Sequence, residues 1–190
     1  MMVKPTLLII NGSYREGALS GILANNLGIH ADAQFKIEHI SVRTLDLPNF
    51  DYAHANHPSA ERLKQLIVRA DGILLISPEY HGCISGSLKN ALDYLRFELT
   101  DKPLGVFATA GSAKSGGNAV NTLRNIGRSL QANVLNEQIY LSKSELEEGK
   151  YLTGNLLERY HAQLRQMLTV IHKNRLYAEC YKSVNIAVVS

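Results

Sequence analysis

The stretch Gly72-Ile73-Leu74-Leu75-Ile76-Ser77-Pro78-Glu79-Tyr80-His81-Gly82-Cys83-Ile84-Ser85-Gly86-Ser87-Leu88-Lys89-Asn90-Ala91-Leu92-Asp93-Tyr94-Leu95 decides the fold. Its first five residues form a short, unbroken apolar run, as a strand covered on both faces requires. Leu88, Ala91, Leu92 and Leu95 then recur at helical spacing. Between run and helix, Pro78, Tyr80, His81 and Gly82 make a compact loop. A strand feeding a loop and then a helix puts that loop at the carboxyl end of a sheet, where open α/β folds bind ligands. The loop is expected to hold a flat cofactor.

Working outward, Thr6–Ile10 is another continuous apolar run, followed by the loop Asn11–Gly21. Leu19, Ile22, Leu23 and Leu27 mark a helix despite Gly21. Phe35–Ile40 alternates and reads as a more exposed strand. Val42 to Pro58 reads as irregular, punctuated by Pro48 and Pro58. Ser59 is the expected cap of a helix with Glu61 in its first turn and Leu63, Leu66, Ile67 and Ala70 on its apolar face.

On the other side, Pro103–Ala108 is a fourth strand, and a glycine-rich loop runs from Thr109 to Gly117. Val120, Leu123, Ile126, Gly127 and Leu130 trace the next helix. A fifth strand falls within Asn133–Leu141, its limits blurred by Asn136-Glu137. Leu156, Tyr160, Leu164, Met167 and Ile171 belong to a long final helix. One domain over residues 1–175 is expected, with a tail over 176–190 that ends in Val184-Asn185-Ile186-Ala187-Val188-Val189. That tail reads equally as a strand or helix added to an oligomer and as a disordered or vector-derived appendage.

Strands alternating five times with helices specify an α/β fold with a parallel sheet, right-handed crossovers and helices on both faces. Five strands fit the flavodoxin-like order 2-1-3-4-5 of a three-layer sandwich. The loops after strands 1, 3 and 4 then converge on one site.

Composition narrows the partners. A chain of 190 residues, 45% hydrophobic and 19% charged, is globular and of single-domain size. No run approaches the roughly 20 apolar residues of a membrane span. The start, Met-Met-Val-Lys-Pro-Thr, leads straight towards a strand without a signal peptide, so a cytoplasmic location is expected. Cys83 and Cys180 form neither a disulfide framework nor a zinc motif and read as thiols in a reducing compartment. A net charge of +3 without a basic cluster argues against nucleic acid as the main partner.

The three loops differ in chemistry. In the first, Gly12 is expected to allow a tight turn, and Ser13 and Ser20 place hydroxyls near a helix N-terminus. Unpaired N–H groups and the helix dipole favour an anion there, and Arg15 adds a charge-assisted contact. Neither a Walker lysine nor G-x-G-x-x-G is present, so the loop suits a monophosphate or is an ordinary capped turn. In the second, Pro78 fixes φ, Tyr80 supplies an aromatic face and Gly82 permits a close backbone approach. In the third, Gly111, Gly116 and Gly117 can present N–H groups to an anionic ring edge. A receiver domain shares the architecture but needs acidic residues where Asn11-Gly12-Ser13 stands.

Gly12-Ser13-Tyr14-Arg15, Pro78-Glu79-Tyr80-His81, Leu88-Lys89-Asn90-Ala91-Leu92-Asp93 and the glycine-rich Ala110–Gly117 together resemble the NADPH-dependent FMN reductase family over about residues 5–170. This flavodoxin-like family includes azoreductases and quinone or chromate reductases. The resemblance implies FMN as cofactor, NADPH as co-substrate and hydride transfer on to a small electron acceptor. It implies that Ser13, Arg15 and Ser20 hold the FMN phosphate and that Pro78, Glu79, Tyr80 and His81 line the isoalloxazine. It also implies that Ser112 faces the pyrimidine side. Members commonly carry serine at the place of Ala18 and asparagine at that of His81. A homodimer or homotetramer is implied, with no nucleic acid, membrane or metal.

No catalytic side chain is strictly required; His81 is a candidate proton donor and otherwise a positioning residue. Cys83 is expected to be a small packed residue. His54 and His57, near Asp51, read as a rim or an oligomer contact rather than a metal site. Lys114 and Arg124 could meet a 2′-phosphate or remain solvated, and Lys89 and Asp93 are spaced to pair. A non-catalytic flavodoxin carrier is the rival reading, but such carriers are usually acidic. A flavin reductase feeding a monooxygenase is the other.

Overall fold

A computed structural model describes residues 3–111, 116–142, 145–147 and 151–189. Strands β1 (Thr6–Asn11), β2 (Lys36–Ser41), β3 (Gly72–Pro78), β4 (Pro103–Ala110) and β5 (Asn133–Ser142) form a parallel sheet in the order β2-β1-β3-β4-β5. This is the expected flavodoxin-like order.

Strand periodicity divides the core between two faces. In β1, Leu8 and Ile10 belong to one apolar cluster, Leu7 and Ile9 to the other. The first face packs on α3 (Pro58–Arg69), α4 (Gly86–Asp93) and α5 (Gly117–Ser129), through Leu63, Ile67, Leu88, Val120 and Leu123. The second packs on α1 (Leu19–Ala31) and α6 (Gly154–Val189), through Leu23, Leu27, Tyr160, Leu164 and Met167. Each fully buried Leu or Ile is worth about 1.5–3 kcal/mol. Tyr160 joins the layers: its hydroxyl donates to Leu27 O at 2.8 Å and its ring lies 5.8 Å from Phe107.

Local chemistry refines several expectations. The cap of α3 is His57, whose Nδ1 accepts the Ser59 N–H at 3.2 Å, and not Ser59. Pro58 occupies the first turn, where its missing N–H costs nothing. The segment from Val42 to Pro58 is not wholly irregular, since α2 (Val42–Leu45) and a 3₁₀ turn at Tyr52–His54 lie within it. Asn90 on α4 clips this segment down, accepting from Phe50 N at 2.7 Å and donating to Pro48 O at 2.8 Å.

The blurred limits around Asn136-Glu137 are a bulge: Leu104 pairs with Val134, but Val106 pairs with Gln138. Side chains from the flanking helices satisfy it. Arg124 donates to Leu135 O at 2.8 Å, Gln166 accepts from Asn136 N, and Arg159 meets Glu137 at 3.0 Å. Arg124 is therefore committed to β5 rather than held out to solvent or a ligand. A small antiparallel hairpin of β6 (Leu146–Glu147) and β7 (Tyr151–Leu152) follows. The last packed turns of α6 end at Ile171, and Arg175 reaches Asp71 at 2.9 Å. Residues 176–189 continue the same helix.

Candidate active site

The phosphate-type loop after β1 is locked from below. Gly12 N donates to Ile76 O at 2.7 Å, and the Ser85 hydroxyl donates to Gly12 O. Ser85 also caps α4 by accepting from Leu88 N, while its own N–H donates to Ser77 Oγ at 2.9 Å. A Cβ at Gly12 would stand 2.7 Å from both Ile76 O and Leu88 Cδ2. Close packing, not the expected tight turn, is what demands glycine here. Asn11 Oδ1 accepts from Ser13 N at 3.1 Å, and Ser13 Oγ accepts from Arg15 N at 3.2 Å. Ser13 is buried, with its hydroxyl engaged inside the loop.

Helix α1 begins unfinished. Ala18 precedes it and offers no side-chain cap, so the N-terminal amides lack the oxygen that serine or aspartate would supply. Ser20, in the first turn, is 1% exposed and its hydroxyl has no protein partner. A buried orphan hydroxyl is costly, and an anion's oxygen at the helix start would satisfy it. Arg15 lines a cleft with Ala18 and Leu19 at this helix start and has no acidic partner among the described residues. The loop's carboxylate, Glu16, is paired with Arg43 at 3.0 Å.

After β3 the chain makes a two-residue hairpin turn. Tyr80 and Cys83 exchange backbone hydrogen bonds of 2.9 and 3.0 Å, with His81 at φ 52° and Gly82 at φ 75°. Two consecutive left-handed residues are the mark of a type I′ turn, which favours asparagine then glycine. His81 thus occupies a position that asparagine fits with less strain, and its side chain is exposed. Cys83 is exposed as well, contrary to the packed role expected of it.

The third loop is held by its neighbours. Glu79 N donates to Thr109 O at 2.8 Å, and Glu79 Oε2 accepts from Ala119 N at 3.0 Å, in the first turn of α5. Gly116 takes φ 115°, where a Cβ would lie 2.7 Å from Tyr140 Cβ. Ser112 and Lys114 lie outside the described residues.

These three loops enclose a cleft of about 330 Å³. Arg15, Ala18 and Leu19 line it from the first loop, Pro78, Glu79 and Tyr80 from the second, and Thr109, Ala110 and Gly111 from the third. Sequence reasoning missed Ala18, Leu19, Thr109 and Ala110 as walls. Their only signal was position beside strand ends. The orphan Ser20 hydroxyl, the uncapped α1 and Arg15 without an acidic partner fit a phosphate, and the cleft that Arg15, Ala18 and Leu19 share with Pro78–Tyr80 and Thr109–Gly111 has room for an aromatic ring. A flavin mononucleotide matches both halves. His57 belongs to the α3 cap, and Lys89 and Asp93 do pair on α4, at 2.5 Å. Among the described residues no cluster of three or more His, Cys, Asp or Glu is placed to hold a metal, and no helix is long and apolar enough to cross a membrane.

Comparison with known proteins agrees with this geometry. The chain is 31% identical over 145 residues to an NADPH azoreductase of Bacillus sp. (strain OY1-2), covering 76% of this chain and 80% of that one. It is 30% identical over 178 residues to an NADPH:quinone oxidoreductase of Arabidopsis thaliana, covering 87% and 90%. Among solved structures, a flavoenzyme NAD(P)H:(acceptor) oxidoreductase from Paracoccus denitrificans superposes with a TM-score of 0.74 at 22% identity. That superposition covers 87% of this chain and 98% of the other, and it shows a shared fold. The family model for NADPH-dependent FMN reductases matches residues 5–145, from the strand before the phosphate-type loop to the end of β5 and just beyond. Matched by that model over well more than half of its length and 31% identical to the azoreductase, this chain belongs to the NADPH-dependent FMN reductase family.

Proposed function

We propose that the protein is an FMN-dependent oxidoreductase that takes hydride from NADPH and reduces a small quinone or azo acceptor. The observation that carries this is the cleft at the uncapped start of α1, where Arg15, Ala18 and Leu19 face Pro78–Tyr80 and Thr109–Gly111, with the unpartnered Ser20 hydroxyl buried in the helix's first turn. When bound, FMN would supply the redox chemistry, carrying a two-electron equivalent from the nicotinamide to the acceptor.

The chain's residues bind and orient. Ser20 Oγ, the α1 amides and Arg15 take the phosphate, while buried Ser13 holds the loop in shape. Pro78, Glu79 and Tyr80, together with Thr109, Ala110 and Gly111, wall the ring. Gly116 caps α5, whose first turn is tied to the cleft through Glu79. Gly82 keeps the hairpin turn tight, and His81 at its apex supplies a proton to the reduced acceptor. The protein acts in the cytoplasm as a homodimer or homotetramer, with no metal or nucleic acid.

Reconstitution with FMN followed by steady-state NADPH oxidation tests the proposal, with a quinone, an azo dye and free FMN as acceptors. Saturable flavin binding and parallel initial-rate lines with quinone or dye are expected. A protein that takes up no flavin overturns it. Turnover only with free FMN, released reduced, would replace it with a flavin reductase serving a partner enzyme.

A further inference from the structure

A second and larger cavity, of about 540 Å³, borders the phosphate-type loop at Gly17 and Ala18. It is bounded by α1, the carboxyl end of β2, α2 and α3. Ala18 borders both cavities, so the two are separated by little more than the turn at Gly17-Ala18. Gly17 takes φ 65° and would have no atom within 4 Å of an added Cβ, so the top of that turn is open.

The lining sorts into used and unused groups. The Ser41 hydroxyl accepts from Arg43 N and Thr44 Oγ1 donates to Ser41 O, so both are committed to α2. Asn25, His39 and Arg62 remain, and Arg62 has no acidic partner among the described residues. Ile22 and Ile40 supply apolar walls. His39 is exposed at the cavity's edge and partial desolvation lowers its pKa; its neutral imidazole can both donate and accept. Apolar walls, neutral hydrogen-bonding groups and one cation suit a heterocyclic base attached to a single anionic group.

We infer that this cavity is an adenylate subsite, so that the protein accepts a flavin dinucleotide as well as the mononucleotide. The inference rests on the flavin reading of the first cleft. A phosphate held at Ser20 and Arg15 can extend through a second phosphate over the open Gly17-Ala18 turn. Arg62 then meets that second phosphate, and the base lies between Ile22 and Ile40 with Asn25 and His39 at its edge.

Titration of the apoprotein with FMN, FAD and AMP, followed by flavin fluorescence and calorimetry, tests it. Arg62→Ala and Asn25→Ala remove exposed side chains, so the fold is retained. FAD is expected to bind within about tenfold of FMN, and each substitution to weaken FAD about five- to tenfold while moving FMN less than about twofold. AMP should compete with FAD and leave FMN in place. Uptake of FMN with exclusion of FAD overturns the subsite and leaves the flavin cleft standing. Equal losses of both flavins, or no loss in either variant, also overturn it. AMP binding that depends on Arg62, with FAD still excluded, assigns the cavity to a free nucleotide and refutes the continuity proposed. Uptake of neither flavin refutes the cleft and the subsite together.

Discussion

The Glu79 carboxylate accepts a hydrogen bond from the Ala119 amide at 3.0 Å, joining the loop after β3 to the first turn of α5. Gly116, the residue at the cap position, has no side chain to do this. Glu79, 40 positions before Ala119, therefore completes the helix start and places a negative charge where the helix dipole favours one. Glu79 also lines the flavin cleft and bonds Thr109 through its backbone. One residue thus sets the spacing of two of the three loops.

Glu79→Ala should lower the unfolding free energy of the apoprotein by about 1–2 kcal/mol, the usual cost of a lost cap. Glu79→Gln keeps an acceptor and loses the charge, and should cost about 0.3–1 kcal/mol. Urea denaturation reads both. The flavin midpoint potential of the reconstituted protein should rise in Glu79→Gln, because a negative charge beside the ring disfavours the reduced, anionic form. Equal stability in all three proteins would show the contact to be idle.

Gly12→Ala is expected to be more severe than its one added methyl suggests. The new Cβ would lie 2.7 Å from the Ile76 carbonyl oxygen, a backbone atom fixed by the Gly12 N–H itself, and 2.7 Å from Leu88 Cδ2. The carbonyl cannot move, and although Leu88 Cδ2 can rotate, Leu88 Cβ at 2.9 Å cannot, so the chain at Gly12 must shift away from β3 and α4. Overpacking of this kind costs about 1–3 kcal/mol, and FMN affinity should fall with it. Thermal unfolding with and without FMN measures both effects.

Strand order, the two-faced core and the convergence of three loops were legible because apolar runs and helical spacing report burial directly. Gly72–Ile76 and Thr6–Ile10 announce central strands by lacking any polar face. Contacts between distant residues were not legible. Nothing in Ser85 or Ser77 announces that they brace Gly12, nor does Arg124 reveal that it answers a bulge in β5. His57 was passed over as a cap because a ring nitrogen accepts only when neutral and correctly turned. The hairpin turn at His81-Gly82 was hidden for a different reason: histidine is not the residue that a type I′ turn prefers.

Arg15→Ala should separate cofactor binding from folding. Its guanidinium borders the cleft without an acidic partner among the described residues, so the apoprotein loses no ion pair on truncation. A charge-assisted bond to phosphate is worth about 1.5–3 kcal/mol, which predicts FMN binding weaker by about 10- to 100-fold. Apoprotein unfolding should be unchanged. Riboflavin, which lacks the phosphate, should bind wild type and Arg15→Ala equally; a loss for riboflavin too would place Arg15 against the ring rather than the phosphate.

Acid should weaken the layer built on α1. Burial lowers the pKa of His39, and burial together with the neighbouring His161, 6.2 Å away ring to ring, lowers that of His30. The unfolded chain holds both near the ordinary 6.5. Between each depressed folded value and 6.5 the unfolded state binds more protons, so stability rises with pH across that window. The contribution is complete above 6.5 and is lost as pH falls towards the folded values. Carboxylates titrating at lower pH add their own slope, so variants must isolate the histidines. Urea midpoints of wild type should drop between pH 7.5 and pH 5, and His30→Asn with His39→Asn should flatten that drop. An unchanged slope in the double variant would mean that neither imidazole is held neutral by the fold.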